Sequence, residues 1–261
     1  MSSRSHYDAD PLLDKLFTAA MNRRPRPSER TQRTRMNAPA KLGPARRREQ
    51  LSDEVAGYLR VAIMSGTLRP GTFVRLDETA AQLGVSITPV REALRTLRGE
   101  GMVQLEPHRG HMVSPFTRDD IADIFWLQGA IAAELAATAA RRATDADIDE
   151  LERLTEDLDA AVRGGEVEPI ARAEFHFHRA FNRTTNRMKL AWFLLHAARY
   201  LPPHIYASDP TWGQDAVVNH RQLTAAMRRR EVDEVVRLTR SQFDDGARRL
   251  TTLLDSLGLW T

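Results

Sequence analysis

Apolar residues recur at Val55, Leu59 and Ile63, spaced i, i+4 and i+8, which is one face of a helix. Gly66 ends that helix, and Leu68-Arg69-Pro70-Gly71 has turn chemistry. A short second helix is predicted over Asp77–Leu83, with Asp77 as its N-cap and Gly84 closing it. Val85-Ser86-Ile87 is the next turn. Thr88 is placed to cap a third helix, and Pro89 suits its first position, where a missing N–H costs nothing. On this helix Val90, Leu94 and Leu97 share one face, and Arg91, Arg95 and Arg98 share another. Gly101 stops it. Met102–Glu106 and His111–Pro115 then read as two short strands around Pro107-His108-Arg109-Gly110.

From Thr117 to Leu257 the pattern is helical, with almost no strand alternation. Ile121, Ile124, Phe125, Ile131 and Leu135 mark a long apolar stripe. Thr144 with Asp147 has the form of a capping box and leads into Leu151, Leu154 and Leu158, and Gly164-Gly165 breaks that helix. Further helices are predicted near 168–185, 187–200, 213–229 and 232–256. The expected fold class is mainly α: an N-terminal winged helix-turn-helix of three helices and a small β-wing over 46–115, then an all-α bundle over 117–257.

Composition narrows the picture. A chain of 261 residues with 42% hydrophobic and 28% charged residues suits two modest globular domains. With no cysteine, disulfides and thiolate metal sites are excluded, which fits a reducing cytoplasm. There is no unbroken apolar run of about 18 residues, and no secretory-leader pattern at the start. The net charge of +3 is uneven: the first 50 residues hold 12 Lys or Arg against 5 Asp or Glu, and the rest is net acidic. Residues 1–45 are therefore expected to be a disordered basic tail. Such a tail adds sequence-blind attraction to phosphates or does nothing, and Met36 is an alternative natural start.

Two groups of residues carry candidate chemistry. Three arginines on one helix face are either a solvated surface or a nucleic-acid contact. A preceding helix and turn with a following wing favour the second, because such a helix fits the major groove and reads base edges from its N-terminal residues. In the bundle, Glu174 and His178 lie i, i+4 on one helix, with His220 and Gln242 further along. Carboxylate and imidazole suit zinc, nickel or manganese. Equally, such histidines are often hydrogen-bonded core or surface residues, and His176, His196 and His204 are also present. No motif for a catalytic base or nucleophile accompanies them, so an enzyme is not expected.

Residues 51–115 resemble the winged helix of the GntR family of bacterial transcription regulators. The matching segments are Ser65-Gly66-Thr67-Leu68-Arg69-Pro70-Gly71, Leu83-Gly84-Val85-Ser86, Thr88-Pro89-Val90-Arg91-Glu92-Ala93-Leu94, Gly101-Met102-Val103 and Arg109-Gly110. The resemblance implies DNA contacts from Ser86, Thr88 and Arg91, with Arg95 on the same face and His108, Arg109 and Gly110 at the wing tip. Ile87 stands where the family has arginine, and Arg75 is the nearest basic residue to the start of the second helix. With a helical domain of this length behind it, the chain is similar to the FadR subfamily and its FCD-type ligand domain. That likeness implies one divalent metal on Glu174, His178 and His220. Glu174 replaces the usual aspartate, and Gln242 stands where a third histidine is expected. Gln128-Gly129-Ala130-Ile131-Ala132 replaces an arginine-bearing motif, so Arg172, Arg221 and Gln242 are the candidates for binding effector.

The expected function is a DNA-binding transcription regulator, a repressor relieved by a small organic, carboxylate effector. It is expected to work as a homodimer on double-stranded DNA in the bacterial cytoplasm. A metal-free pocket, in which Gln242 and His220 hydrogen-bond the ligand, is an open alternative. So is an effector-independent nucleic-acid-binding protein whose bundle only dimerises.

Overall fold

The computed structural model describes residues 44–200, 206, 207, 209 and 211–260, with side chains described from residue 51. The expected tail lies outside these residues except for 44 and 45. In chain order the elements are α1 (Pro44–Met64), β1 (Phe73–Val74), α2 (Leu76–Leu83), α3 (Ile87–Gly99), β2 (Val103–Glu106), β3 (Gly110–Val113), α4 (Arg118–Arg142), α5 (Asp145–Gly164), α6 (Val167–Thr184), α7 (Met188–Ala197), a 3₁₀ turn (Ala198–Tyr200), α8 (Trp212–Arg228) and α9 (Val232–Leu257). The chain divides into two compact units. The smaller holds the residues up to Tyr58 with Arg75–Leu97; the larger holds Leu59–Val74 with Arg98–Thr261.

In the smaller unit the apolar faces are buried as their spacing predicts: Val55 and Ala56 on α1, Ala80 on α2, and Val90, Ala93, Leu94 and Leu97 on α3. Two helix starts differ from expectation. α2 begins at Leu76, with Arg75 at the cap position and no side-chain cap bond, so Asp77 lies inside the first turn, where its charge meets the helix dipole. α3 begins at Ile87, two residues early, which puts Thr88 and Pro89 within its first turn. Pro89 is tolerated there because the first four N–H groups of a helix have no intrahelical partner. Gly84 closes α2 as expected. It is left-handed (φ 65°), and its N–H reaches the carbonyls of Ala80 and Ala81.

The larger unit contains the wing. β2 and β3 form the predicted antiparallel hairpin, with Val103 opposite Val113 and Glu106 opposite Gly110. Its strands are shorter than the sequence pattern suggested. The pattern gave no sign of β1, whose Phe73 and Val74 pair antiparallel with Met112 and His111. The sheet order is therefore β1-β3-β2. His108 at the hairpin tip has φ 63°, a left-handed conformation that is uncommon outside glycine.

The bundle helices follow the sequence reading closely. The Thr144–Asp147 capping box is present, and Thr117–Asp120 forms a second one at the head of α4. α4 and α9 run against each other over most of their lengths, α5 packs on α6 and α8, and α7 lies along α4. The main core gathers Ala136, Ala139, Ile148, Leu151, Phe177, Phe181, Leu223, Met227, Val235 and Leu238. By length and composition α4 is apolar enough to cross a membrane, although polar residues interrupt its apolar run. Its Ile121, Phe125, Leu135, Ala136, Ala139 and Ala140 are buried in the protein.

Past α9 the chain folds back. Leu259 packs on Gly66 so closely that a Cβ at that glycine would meet Leu259 Cδ1 at 2.9 Å. Trp260 bridges to Phe116, and its indole N–H donates to Asp255, which also accepts from Arg118. Arg60 forms a bidentate pair with Glu100 (2.7 and 2.6 Å), and the Tyr200 hydroxyl donates to the Glu100 carbonyl (2.8 Å).

Candidate DNA-reading elements and polar cluster

α3 buries its aliphatic face and leaves Arg91, Arg95 and Arg98 exposed. Arg95 pairs with Glu92 one turn earlier (2.9 Å). Ser86 and Thr88 are exposed at the helix start, and Arg75 is exposed beside Glu78 (3.6 Å). The guanidinium is the right group for this surface, since it contacts phosphate and bidentately recognises guanine. In the larger unit His108, Arg109 and Gly110 form the exposed wing tip. Arg109 lies over the Phe73 ring, 4.6 Å from its centroid, so β1 braces the tip.

The bundle brings the second set of predicted residues together. Glu174 and His178 project from one face of α6, His220 from α8 and Gln242 from α9. The Glu174 carboxylate accepts from His178 Nε2 (3.0 Å), His220 Nε2 (2.9 Å) and the Gln242 amide (3.3 Å). Gln242 Nε2 is also 3.3 Å from His178 Nε2. His220 is fully buried and its ring stacks on Phe177, 3.7 Å between centroids, which fixes the imidazole plane. Burial alone would raise the Glu174 carboxyl. The facing His220 and His178 rings and their hydrogen bonds outweigh it, holding the group well below the usual carboxylate range.

The set fits a divalent ion. One ligand atom each from Glu174, His178 and His220 lie within 4.8 Å of one another. Two imidazoles and a carboxylate are donors that zinc, nickel and manganese accept, and His178 is half-buried, leaving one side of the set open. Gln242 completes the cluster as a neutral amide in place of a fourth charged or imidazole donor. His220 Nδ1 has no partner among the described residues, so the outer hydrogen bond that usually orients a metal-bound histidine is not present there.

Arg221 is a correction. Although adjacent to His220 in sequence, it points to the surface and pairs with Glu156 (3.0 Å) and Asp159 (2.8 Å) on α5. A helix turns 100° per residue, and that step carries Arg221 off the cluster. Arg172 lies two residues before Glu174, on the far side of α6 by the same geometry, and the structure does not bring it to the cluster. Phe177, the ring that orients His220, was not singled out from the sequence. Gln128, noted in the sequence only as the start of the segment that replaces an arginine-bearing motif, is buried with its amide on the Ala197 carbonyl (3.2 Å). Phe177 sits i+3 from Glu174, which was the available signal. The Tyr206 hydroxyl and Asn219 Oδ1 are further buried atoms without a partner among the described residues.

Residues 51–113 match the bacterial regulatory proteins of the gntR family, and residues 123–245 match the FCD domain. The chain is 30% identical over 185 residues to the "Probable D-xylose utilization operon transcriptional repressor" of Paenarthrobacter nicotinovorans, covering 69% of this chain and 80% of that protein. It is 26% identical over 185 residues to the HTH-type transcriptional regulator McbR of Escherichia coli (strain K12), covering 69% and 84%. In fold it is similar to the solved E. coli McbR/YncC, with a TM-score of 0.61 and 24% identity over 77% of this chain and 97% of that one. The wing, the arginine-faced α3 and the helical domain behind them thus have one explanation: this chain belongs to the gntR family of bacterial DNA-binding transcription regulators and carries an FCD domain.

Proposed function

We propose that the protein is a repressor that acts as a homodimer in the bacterial cytoplasm and is released from its operator by a small carboxylate effector. Residues 46–115 are its DNA-binding domain and 117–257 its effector and dimerisation domain. Ser86, Thr88 and Arg91 contact base edges, with Arg95 and Arg75 on phosphates. His108, Arg109 and Gly110 contact the minor groove or the backbone beside it. Two copies meet the two halves of a near-palindromic operator. No reaction is assigned to the chain; its relatives are transcription regulators.

The observation that carries the effector reading is the Glu174–His178–His220 cluster inside the FCD segment. These residues hold one zinc, nickel or manganese ion, and Gln242 is placed to hydrogen-bond what binds beside it. An ion held by these residues would supply positive charge that attracts a carboxylate. His178 and His220 would supply imidazole nitrogens to it, and Phe177 keeps the His220 ring in place. Effector that favours one dimer arrangement over the other shifts the population by its differential affinity.

Metal content of the purified protein, measured by plasma emission spectrometry beside Glu174→Ala, tests this. About one ion per chain, lost in the variant, is the expected result. No metal in either protein refutes the metal-held effector.

A further inference from the structure

α3 carries one side chain that neither its core face nor its arginines explain. Ile87, its first residue, is 42% exposed, the one exposed large apolar side chain among the described residues of the smaller unit. A single apolar side chain on a surface is ordinary. The position of this one is not. Ile87, Arg91 and Arg95 fall at i, i+4 and i+8, with Arg98 at i+11, so the isoleucine forms the N-terminal end of the arginine ridge. Ser86 and Thr88, both exposed, flank it in the chain. On the opposite side Val90, Ala93, Leu94 and Leu97 are each 0% exposed, so the core is closed without Ile87.

The N-terminal residues of such a helix are the ones that meet base edges. An isoleucine there has no side-chain donor or acceptor to offer. Against guanine O6 and N7, cytosine N4, or adenine N6 and N7, it strips water from polar atoms and returns no hydrogen bond. Thymine is the one base whose major-groove edge carries a methyl group. That methyl and the isoleucine both leave water when they touch, which is favourable. The side chain is β-branched and stiff at χ1, so docking costs it little rotamer freedom. Ile87 and Arg91 are about 6 Å apart along the helix axis. Base pairs stack at about 3.4 Å, so the two side chains address pairs one or two steps apart.

We propose that Ile87 is a specificity-determining residue of the operator contact, touching the 5-methyl group of a thymine one or two base pairs from the pair that Arg91 contacts. The inference rests on the DNA-reading role given above to Ser86, Thr88 and Arg91, and adds a base to it.

Random duplexes are selected on the purified full chain and, in parallel, on Ile87→Arg and Arg91→Ala, all at one salt concentration because affinity for DNA depends on it. The wild-type pool is expected to share a motif containing the thymine. Ile87→Arg converts that pair to guanine–cytosine and keeps the rest, since arginine bonds guanine O6 and N7. Each thymine of the motif is then replaced singly by uracil, which lacks only the methyl, and binding of wild-type protein is titrated by fluorescence anisotropy. One replacement, within two base pairs of the position that Arg91→Ala relaxes, weakens binding roughly 4- to 10-fold, the effect of taking one or two apolar carbons out of contact. The same duplex pair differs by less than about two-fold on Ile87→Ala, because the partner of the methyl is gone. Uracil tolerated at every thymine by the wild type, or an unchanged motif in Ile87→Arg, overturns the assignment. If Arg91→Ala has meanwhile lost the motif, the reading role of α3 stands. A wild-type pool with no shared sequence, or an Arg91→Ala pool identical to it, overturns that role as well.

Discussion

Replacing Glu174 with alanine removes the acceptor shared by three donors. Glu174 is 8% exposed, and its carboxylate accepts from His178, His220 and Gln242. Without it, His220, which has no solvent access, keeps neither ring nitrogen paired, since its Nδ1 already has no partner among the described residues. An unsatisfied buried polar group costs about 1–3 kcal/mol, and a lost charged hydrogen bond a similar amount. These losses overlap, so their combined cost is about 3–4 kcal/mol. At about 2–4 °C per kcal/mol for a domain of this size, the melting temperature falls by roughly 10 °C. The measurement is a thermal melt by circular dichroism in chelator-treated buffer, so that a lost ion is not counted as lost hydrogen bonds. The pH dependence follows from the depressed carboxyl. Its stabilisation is present above the unfolded value of about 4.3 and is lost as pH falls through the lower folded value. The gap between wild type and variant thus holds from pH 7 to about 5 and closes in acid. Melting temperatures within 2 °C of each other at pH 7 refute the reasoning: the cost of burying the carboxylate would then equal what its three hydrogen bonds return.

Other expectations are equally direct. Arg91→Ala weakens specific operator binding by roughly 10- to 100-fold in a gel-shift titration, with the fold and oligomeric state retained; unchanged affinity removes Arg91 from the reading surface. Arg60→Ala leaves the Glu100 carboxylate half-buried and unpaired and costs about 2–4 kcal/mol, and a double-mutant cycle with Glu100→Ala in urea melts shows a large coupling energy. Gly66→Ala forces a side chain onto a backbone at φ 75° and into Leu259, lowering stability by about 1–3 kcal/mol; adding Leu259→Ala relieves the collision and leaves the backbone strain.

Local chemistry is legible wherever one segment determines its own shape. Thr144 and Asp147 announce a helix start because both halves of the capping box lie within four residues. The arginine face of α3 is legible for the same reason, since helical spacing alone sorts Arg91 from Val90. Asp77 misleads because it is a good capping residue that stands two positions too late, and the helix starts without a side-chain cap. β1 is two residues long, too short for any alternation, and exists only because β3 is there to pair with it. Arg221 departs from expectation because its acidic partners lie more than 60 residues away on α5. Gln242 enters through resemblance, and its convergence on Glu174 across 68 residues is a product of packing.

The geometry of α9 has a mechanical consequence. Gln242 sits near its middle, at the polar cluster, and Asp255 near its end, where Leu259 and Trp260 grip Gly66 and Phe116. At 1.5 Å per residue the two stations are about 20 Å apart on a single uninterrupted rod. A helix is stiff along its axis, so a tilt of only about 3° around Gln242 sweeps the far end through about 1 Å. In a close-packed contact such a step is resisted until neighbouring side chains exchange one set of grooves for another. Under the proposed effector reading, a small push at the cluster would reach the root of the wing as a discrete step rather than a graded one.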